Sequence, residues 1–125
     1  GDSPLIDPAL VDRAIRLYSD TQCDLVTNVK KRTFPKGQSI EVINTAKFMQ
    51  VIQRLKSPHD KEHVTRFYYD NSDEFEIIDF QSGVEAGNIQ MSVDTSEDFK
   101  KIKKLVSQLD GRKSGWQQLA AILSK

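Results

Sequence analysis

The sequence predicts an α/β domain, and three features predict it. Short β-branched apolar runs alternate with amphipathic stretches at helical spacing through most of the 125 residues. Helix-start signals stand where those stretches begin, at Asp7-Pro8, Ser57-Pro58-His59-Asp60 and Thr95-Ser96-Glu97-Asp98. The length suits one domain with a real core, so residues 1–125 are read as a single domain.

Taken in order, Asp7 is a good N-cap with proline at the first helical position. Leu10, Val11, Ala14, Ile15, Leu17 and Tyr18 then recur as the apolar face of a first helix. Leu25 to Val29 reads as a strand, and the basic stretch Lys30 to Gln38, with Pro35 and Gly37, as a loop. Ser39 to Ile43 alternates as a second strand. Thr45 is expected to cap a helix whose core face is Phe48, Met49, Val51, Ile52 and Leu55. One further helix is expected from Ser57 to Asn71, with Val64, Phe67 and Tyr68 buried. Phe75 to Phe80 reads as a strand, Gln81 to Gly87 as a turn, and Ile89 to Val93 as a strand running into Asp94. Thr95 to Asp98 forms a capping box, and Phe99, Ile102, Leu105, Val106 and Leu109 follow at helical spacing. Gly111 to Gly115 breaks the chain before a short helix carrying Trp116, Leu119, Ala120 and Leu123.

Composition narrows the function classes. Lys plus Arg is 18 and Asp plus Glu is 18, so the charge balance lacks the basic excess a general nucleic-acid binder needs. No apolar run approaches the roughly 20 residues of a membrane span, and no signal-peptide pattern is present. Cys23 is the single cysteine, which excludes an intrachain disulfide and a cysteine-based zinc site. It reads as a structural thiol, and the expected compartment is a reducing cytoplasm. Gly-x-Gly-x-x-Gly, P-loop and Gly-x-Ser-x-Gly patterns are all absent.

Three constellations remain. Asp2 lies in a tight loop before the first helix, and Asp94 ends a predicted strand just before a helix. In an open α/β sheet such positions face the ligand crevice, where one or two carboxylates suit Mg²⁺. An acidic residue beside a helix start is more often a cap or dipole partner, and spacing alone leaves both readings open. The second constellation is Phe34-Pro35-Lys36-Gly37-Gln38-Ser39-Ile40-Glu41, with Lys30, Lys31, Arg32 and Lys36 around a proline-glycine turn. It attracts a phosphate or sugar carboxylate, or it is a solvated loop. The third is Lys61-Glu62-His63-Val64-Thr65. His63 is a candidate base, metal ligand or donor to a sugar hydroxyl, and a zinc pair with His59 lacks a visible third ligand.

These segments together resemble one family. Gly1-Asp2-Ser3-Pro4-Leu5-Ile6-Asp7-Pro8, Thr33-Phe34-Pro35-Lys36-Gly37-Gln38-Ser39-Ile40-Glu41-Val42, Lys61-Glu62-His63-Val64-Thr65 and Ser92-Val93-Asp94-Thr95-Ser96-Glu97-Asp98 stand in the order of the spore-coat polysaccharide type of cytidylyltransferase. That type is a branch of the CMP-sugar synthetases, which include the acylneuraminate enzymes. The resemblance implies a partial three-layer Rossmann-like nucleotidyltransferase fold with helices on a mixed sheet. It implies transfer of CMP from CTP to an acidic or modified sugar, with Asp2 and Asp94 on Mg²⁺ and with Lys36, Gln38, Glu41 and His63 lining the sugar side. No residue is expected to act as a covalent nucleophile.

Family members are about twice this long, and their first half carries the loop that cradles CTP. The chain is therefore expected to be the C-terminal half of such an enzyme, inactive alone, with a homodimer built through roughly Phe48 to Phe80. Local departures exist. Gln90 and Lys61 stand where the family often has arginine, Arg66 where it has proline, and Ser39 where it has aspartate. The rival expectation is a non-catalytic oligomerisation or sugar-binding module. A glycosyltransferase ranks last, because Asp2-Ser3-Pro4 is not an Asp-x-Asp metal motif.

Overall fold

Residues 3–109 and 115–124 are described in a computed structural model of the chain. β1 (Leu25–Thr27) is the middle of a three-stranded mixed sheet ordered β2-β1-β3. β2 (Glu41–Ile43) pairs with it antiparallel and β3 (Ile77–Asp79) pairs with it parallel. Successive side chains of a strand point to opposite faces, and β1 uses this to feed two cores. Val26 enters the larger, among Leu10 and Ala14 of α1 (Pro8–Thr21), Leu105 of α5 (Ser96–Leu109), and Trp116, Leu119 and Ala120 of α6 (Trp116–Leu123). Phe34 joins them from a loop and stands edge-on to Phe80 and Trp116, with ring centroids 5.7 and 5.2 Å away. Leu25 enters the smaller core, with Val51 of α2 (Thr45–Arg54), Leu55, Phe75, and Tyr68 of α4 (Val64–Asp70). The expected helices on a mixed sheet are present. No described helix is long and apolar enough to cross a membrane.

The expected caps mostly form, because capping is a local interaction. Asp7 Oδ1 accepts from the Ala9 amide at 2.9 Å at the start of α1. Its second oxygen, Oδ2, accepts from the Trp116 amide at 3.0 Å, so one buried carboxylate caps two helices. Ser57 caps α3 (Pro58–Glu62) by accepting from the Asp60 amide. At α2 the cap is Asn44 and not Thr45: the Asn44 backbone is extended and its Oδ1 accepts from the Lys47 amide.

Other expectations need correction. The single helix from Ser57 to Asn71 is two, α3 and α4, broken where His63 leaves the helical region (φ −119°, ψ 52°). β-branched Val64 and Thr65 follow directly and weaken helical continuity there. The strand expected over Ile89 to Val93 is reduced to one parallel bridge between Lys36 and Gln90, because its partner is a loop whose backbone leaves the extended conformation at Gly37 (φ +99°). Ile15, Met49, Phe99 and Val106, all at core-like spacing, are about half exposed. The break at Gly111 to Ser114 lies outside the described residues. Cys23 is buried with its Sγ 3.6 Å from the Leu25 carbonyl, the structural thiol expected.

The shared cap at Asp7 gives a prediction. Asp7→Ala removes acceptors from two helix starts at once and should lower unfolding free energy by roughly 2–4 kcal/mol, about twice a single cap. Asp7→Asn keeps one oxygen acceptor and should lose about half as much; equal losses in urea melts would show that the two caps are not independent.

Candidate functional site

Thr27, the last residue of β1, pairs with Glu41 on one side and Asp79 on the other. These three residues share one face of the sheet at the carboxyl end of its parallel pair, where α/β sheets open to ligands. The loop after β1 stays close to this edge. Gly37 has φ +99°, and a Cβ built there would sit 2.6 Å from the Met91 carbonyl carbon and 2.7 Å from the Ser92 amide nitrogen. Only glycine permits that approach. It presses the loop onto residues 90–92, where the Lys36 amide donates to the Ile89 carbonyl and the Met91 amide donates to the Lys36 carbonyl. Lys36 and the approach to Asp94 are thereby neighbours.

Asp94 is exposed, and its side chain is not a helix cap. Capping of α5 is carried out by Asp98, whose Oδ2 accepts from the Asp94 and Thr95 amides, and by Thr95, whose Oγ1 accepts from the Asp98 amide. The Asp94 amide, first among these donors, holds the Asp98 carboxyl below its ordinary value. Relieved of that task, Asp94 Oδ2 accepts from Gln90 Nε2 at 3.1 Å and from Ser92 Oγ at 3.3 Å. Both donors are neutral. Its Oδ1 has no hydrogen-bond partner and the carboxylate has no ion pair among the described residues.

Glu41 is held from another direction. The Val29 amide donates to Thr27 Oγ1 at 3.1 Å, and Thr27 Oγ1 lies 2.8 Å from Tyr69 Oη. Tyr69 donates its single hydroxyl proton to Glu41 Oε2, so Thr27 must be the donor to Tyr69. Burial, then the bond to Glu41, push the Tyr69 phenol above its ordinary value, which keeps it a donor. Beyond Thr27, Asp79 Oδ2 accepts from the Lys31 amide, while Asp79 Oδ1 is buried without a partner.

No family model matches the chain. It is 32% identical over 110 residues to the spore coat polysaccharide biosynthesis protein SpsF of Bacillus subtilis, covering 84% of this chain and 44% of that protein. It is 25% identical over 112 residues to an uncharacterized protein of Methanocaldococcus jannaschii, covering 88% and 45%. Its structure matches a cytidylyltransferase from Leptospira borgpetersenii serovar Hardjo-bovis with a TM-score of 0.91, at 22% identity, over 98% of this chain and 52% of that one. The fold is that of a cytidylyltransferase. The resemblance read from the motifs therefore stands on a sequence relative and a structural one, and the chain spans about half the length of each.

Within that fold the six expected site residues are not all together. Lys36 is exposed and lines an open cavity of about 530 Å³ with Arg32, Glu85, Gly87 and Asn88. Gln38 does not face a ligand: it is fully buried, its Oε1 accepts from the Asp7 amide at 2.9 Å and its Nε2 donates to the Leu5 carbonyl at 2.7 Å. A polar side chain with both ends satisfied inside the protein is a structural tie. His63 stands apart, lining a separate cavity of about 310 Å³ with Arg54, His59, Asp60, Arg66 and Asp70. Arg66, Phe67 and Asp70 of α4 line that cavity beside His63, and Tyr69 is not among its lining residues. The His59 and His63 rings are 4.7 Å apart, but no group of three or more His, Cys, Asp or Glu that could hold a metal exists among the described residues. Asp2 lies outside the described residues.

Sequence reasoning missed Gln90, Ser92 and Tyr69 as supports of the two carboxylates. Tyr68-Tyr69 reads as core or rim aromatics, and because neighbours on a helix point about 100° apart the pair divides between the two. Tyr68 enters the core, and Tyr69 turns to the sheet edge.

Two predictions come from this geometry. Gly37→Ala combines a left-handed φ with a backbone clash and should destabilise the chain by more than about 2 kcal/mol, measured by chemical denaturation. The second concerns alkaline pH. Both Tyr68 and Tyr69 have phenols raised above 10.0, Tyr68 by burial and then the charge of Asp24. A folded-state value above the unfolded one gives stability that is complete below about pH 10 and is lost as pH rises further, because the unfolded chain releases its protons first. Tyr69→Phe should flatten that loss between about pH 9.5 and 11 in urea melts.

Proposed function

We propose that the protein carrying this chain is a CMP-sugar synthetase. It transfers CMP from CTP to an acidic or modified sugar and releases pyrophosphate. The observation that carries this reading is the Asp94 carboxylate: exposed beside the Lys36 loop, fixed through one oxygen by neutral donors, and free at the other. A hard oxygen donor with uncompensated charge suits Mg²⁺, which takes one or two carboxylates and fills its other positions with water and phosphate oxygens. Asp94 fits such an ion, with Asp2 as the second candidate ligand. When bound, Mg²⁺ supplies charge neutralisation on the α-phosphate.

The rest falls to the chain's own groups. A sugar hydroxyl oxygen attacks the α-phosphorus of CTP in line, the bond to the β-phosphate breaks, and pyrophosphate leaves. Such a displacement needs positioning and electrostatic support, and no covalent intermediate. Lys36 and Arg32, on one open cavity, offer cations to an acidic sugar or a phosphate. Glu41 accepts from a sugar hydroxyl. The groups that cradle CTP lie outside these 125 residues, so residues 1–125 alone are inactive. The name of the Bacillus subtilis relative supports a role in surface polysaccharide biosynthesis, and the expected homodimer belongs to the same reading.

The test is pyrophosphate release from CTP and Mg²⁺ with N-acetylneuraminate, 3-deoxy-D-manno-octulosonate and neutral hexoses as acceptors. The protein carrying the chain should turn over at least one sugar, and residues 1–125 alone none. Asp94→Asn should lower kcat on the order of 10²-fold with an unchanged melting temperature. Turnover by residues 1–125 alone would overturn the division of labour. A second reading, a non-catalytic oligomerisation module, is favoured by exposed Phe99 and Val106 on one helix. It predicts a dimer by light scattering, with no effect of CTP or Mg²⁺ on melting.

A further inference from the structure

We infer that Tyr69 is a positioning residue for Glu41, aiming one oxygen of its carboxylate at a hydroxyl of a polyol ligand. The inference rests on the sugar-nucleotidyltransferase reading for the identity of that ligand, and on geometry alone for the positioning. Glu41 begins a strand at the exposed edge of the sheet, where a long side chain has several rotamers open to it. It has one because of a line of hydroxyls that starts in the backbone. The Val29 amide fixes Thr27 Oγ1, Thr27 donates to Tyr69 Oη, and Tyr69 donates to Glu41 Oε2. Every link but the last lies on β1, its exit or α4, so the donor is set before any ligand arrives.

The last link leaves Glu41 Oε1 without a protein hydrogen-bond partner among the described residues. It also leaves the charge intact, because a phenol proton does not neutralise a carboxylate in the way an arginine would. A charged acceptor held at one oxygen and open at the other suits a neutral O–H donor. Loss of the Tyr69 hydroxyl should therefore weaken recognition of the sugar and leave recognition of the nucleotide alone. A structural role predicts otherwise: phenylalanine preserves the packing of the ring against the smaller core.

The experiment compares Tyr69→Phe, Glu41→Ala and the double variant in the protein carrying the chain, with the sugar turned over fastest in the panel above. Tyr69→Phe should raise KM for that sugar about tenfold, with KM for CTP within about twofold. In the Glu41→Ala background the same change should add less than about twofold, because the acceptor is gone. A sugar KM unmoved by Tyr69→Phe, or effects that multiply in the double variant, would overturn the inference. Should the unaltered protein turn over no sugar in the panel, the functional reading fails, and the positioning is decided by NMR of glutamate-labelled protein. One Glu41 χ1 rotamer that becomes averaged in Tyr69→Phe upholds it; unchanged couplings overturn it.

Discussion

The structure depends on a buried line of hydrogen bonds through Asp7, Gln38 and Asn28. Asn28 and Gln38 are fully buried, and Asp7 is nearly so. Asn28 donates through Nδ2 to the Gln38 carbonyl and accepts through Oδ1 from the Ile40 amide, which closes the loop between β1 and β2. The Gln38 side chain then takes the Asp7 amide and the Leu5 carbonyl, and reaches Met91 Sδ at 3.3 Å. Asp7 carries the line onward to the starts of α1 and α6. Five separate stretches of chain meet there. Each member satisfies groups that would otherwise be buried without partners, at about 1–3 kcal/mol apiece. The line therefore specifies one arrangement more strictly than apolar packing alone could.

That line also decides where chemistry is possible. By holding residue 38 inside, it turns residues 36 and 37 toward the 90–92 segment, and Gly37 allows the two backbones to touch. Gln38 is thus indispensable to the site without entering it. His63 shows the opposite case. Its place in a family-like motif suggests a ligand role, but the break between α3 and α4 leaves it lining a cavity with Arg54 and Arg66 whose lining does not include Glu41. One chain holds a carboxyl-edge site and a separate cavity lined by both basic and acidic side chains.

Much of the fold was legible because its signals are local. Asp7-Pro8, Ser57 and Thr95 with Asp98 each mark a helix start through contacts within three residues, and all form. Asn44 in place of Thr45 as cap is a one-residue slip between two good acceptors. What failed depended on distant partners. Ile89 to Val93 has strand-like alternation, but only Lys36 lies beside it to pair. Phe99 and Val106 have core spacing, yet α5 spends only Ile102 and Leu105 on the core. Gln38 carries no sign of burial in its residue type, since glutamine is mostly exposed, and only the tertiary position of Asp7 makes it a core residue.

Asp94 and Glu41 are supported in the same manner, and the manner matters more than either residue. Each carboxylate has one oxygen held by uncharged donors, Gln90 and Ser92 for Asp94 and Tyr69 for Glu41, and the other oxygen free. Nearby cations exist, with Lys30, Lys31, Arg32 and Lys36 in the adjoining loop, but no ion pair joins any of them to either carboxylate among the described residues. An arginine partner would lower the electrostatic cost of each acid and would also consume the charge that a cation or hydroxyl needs. Neutral donors fix geometry and leave the field in place. The protein thus tolerates uncompensated negative charge at two exposed carboxylates. That arrangement is less stable than pairing, and it becomes favourable when a ligand supplies the missing positive charge or proton donor.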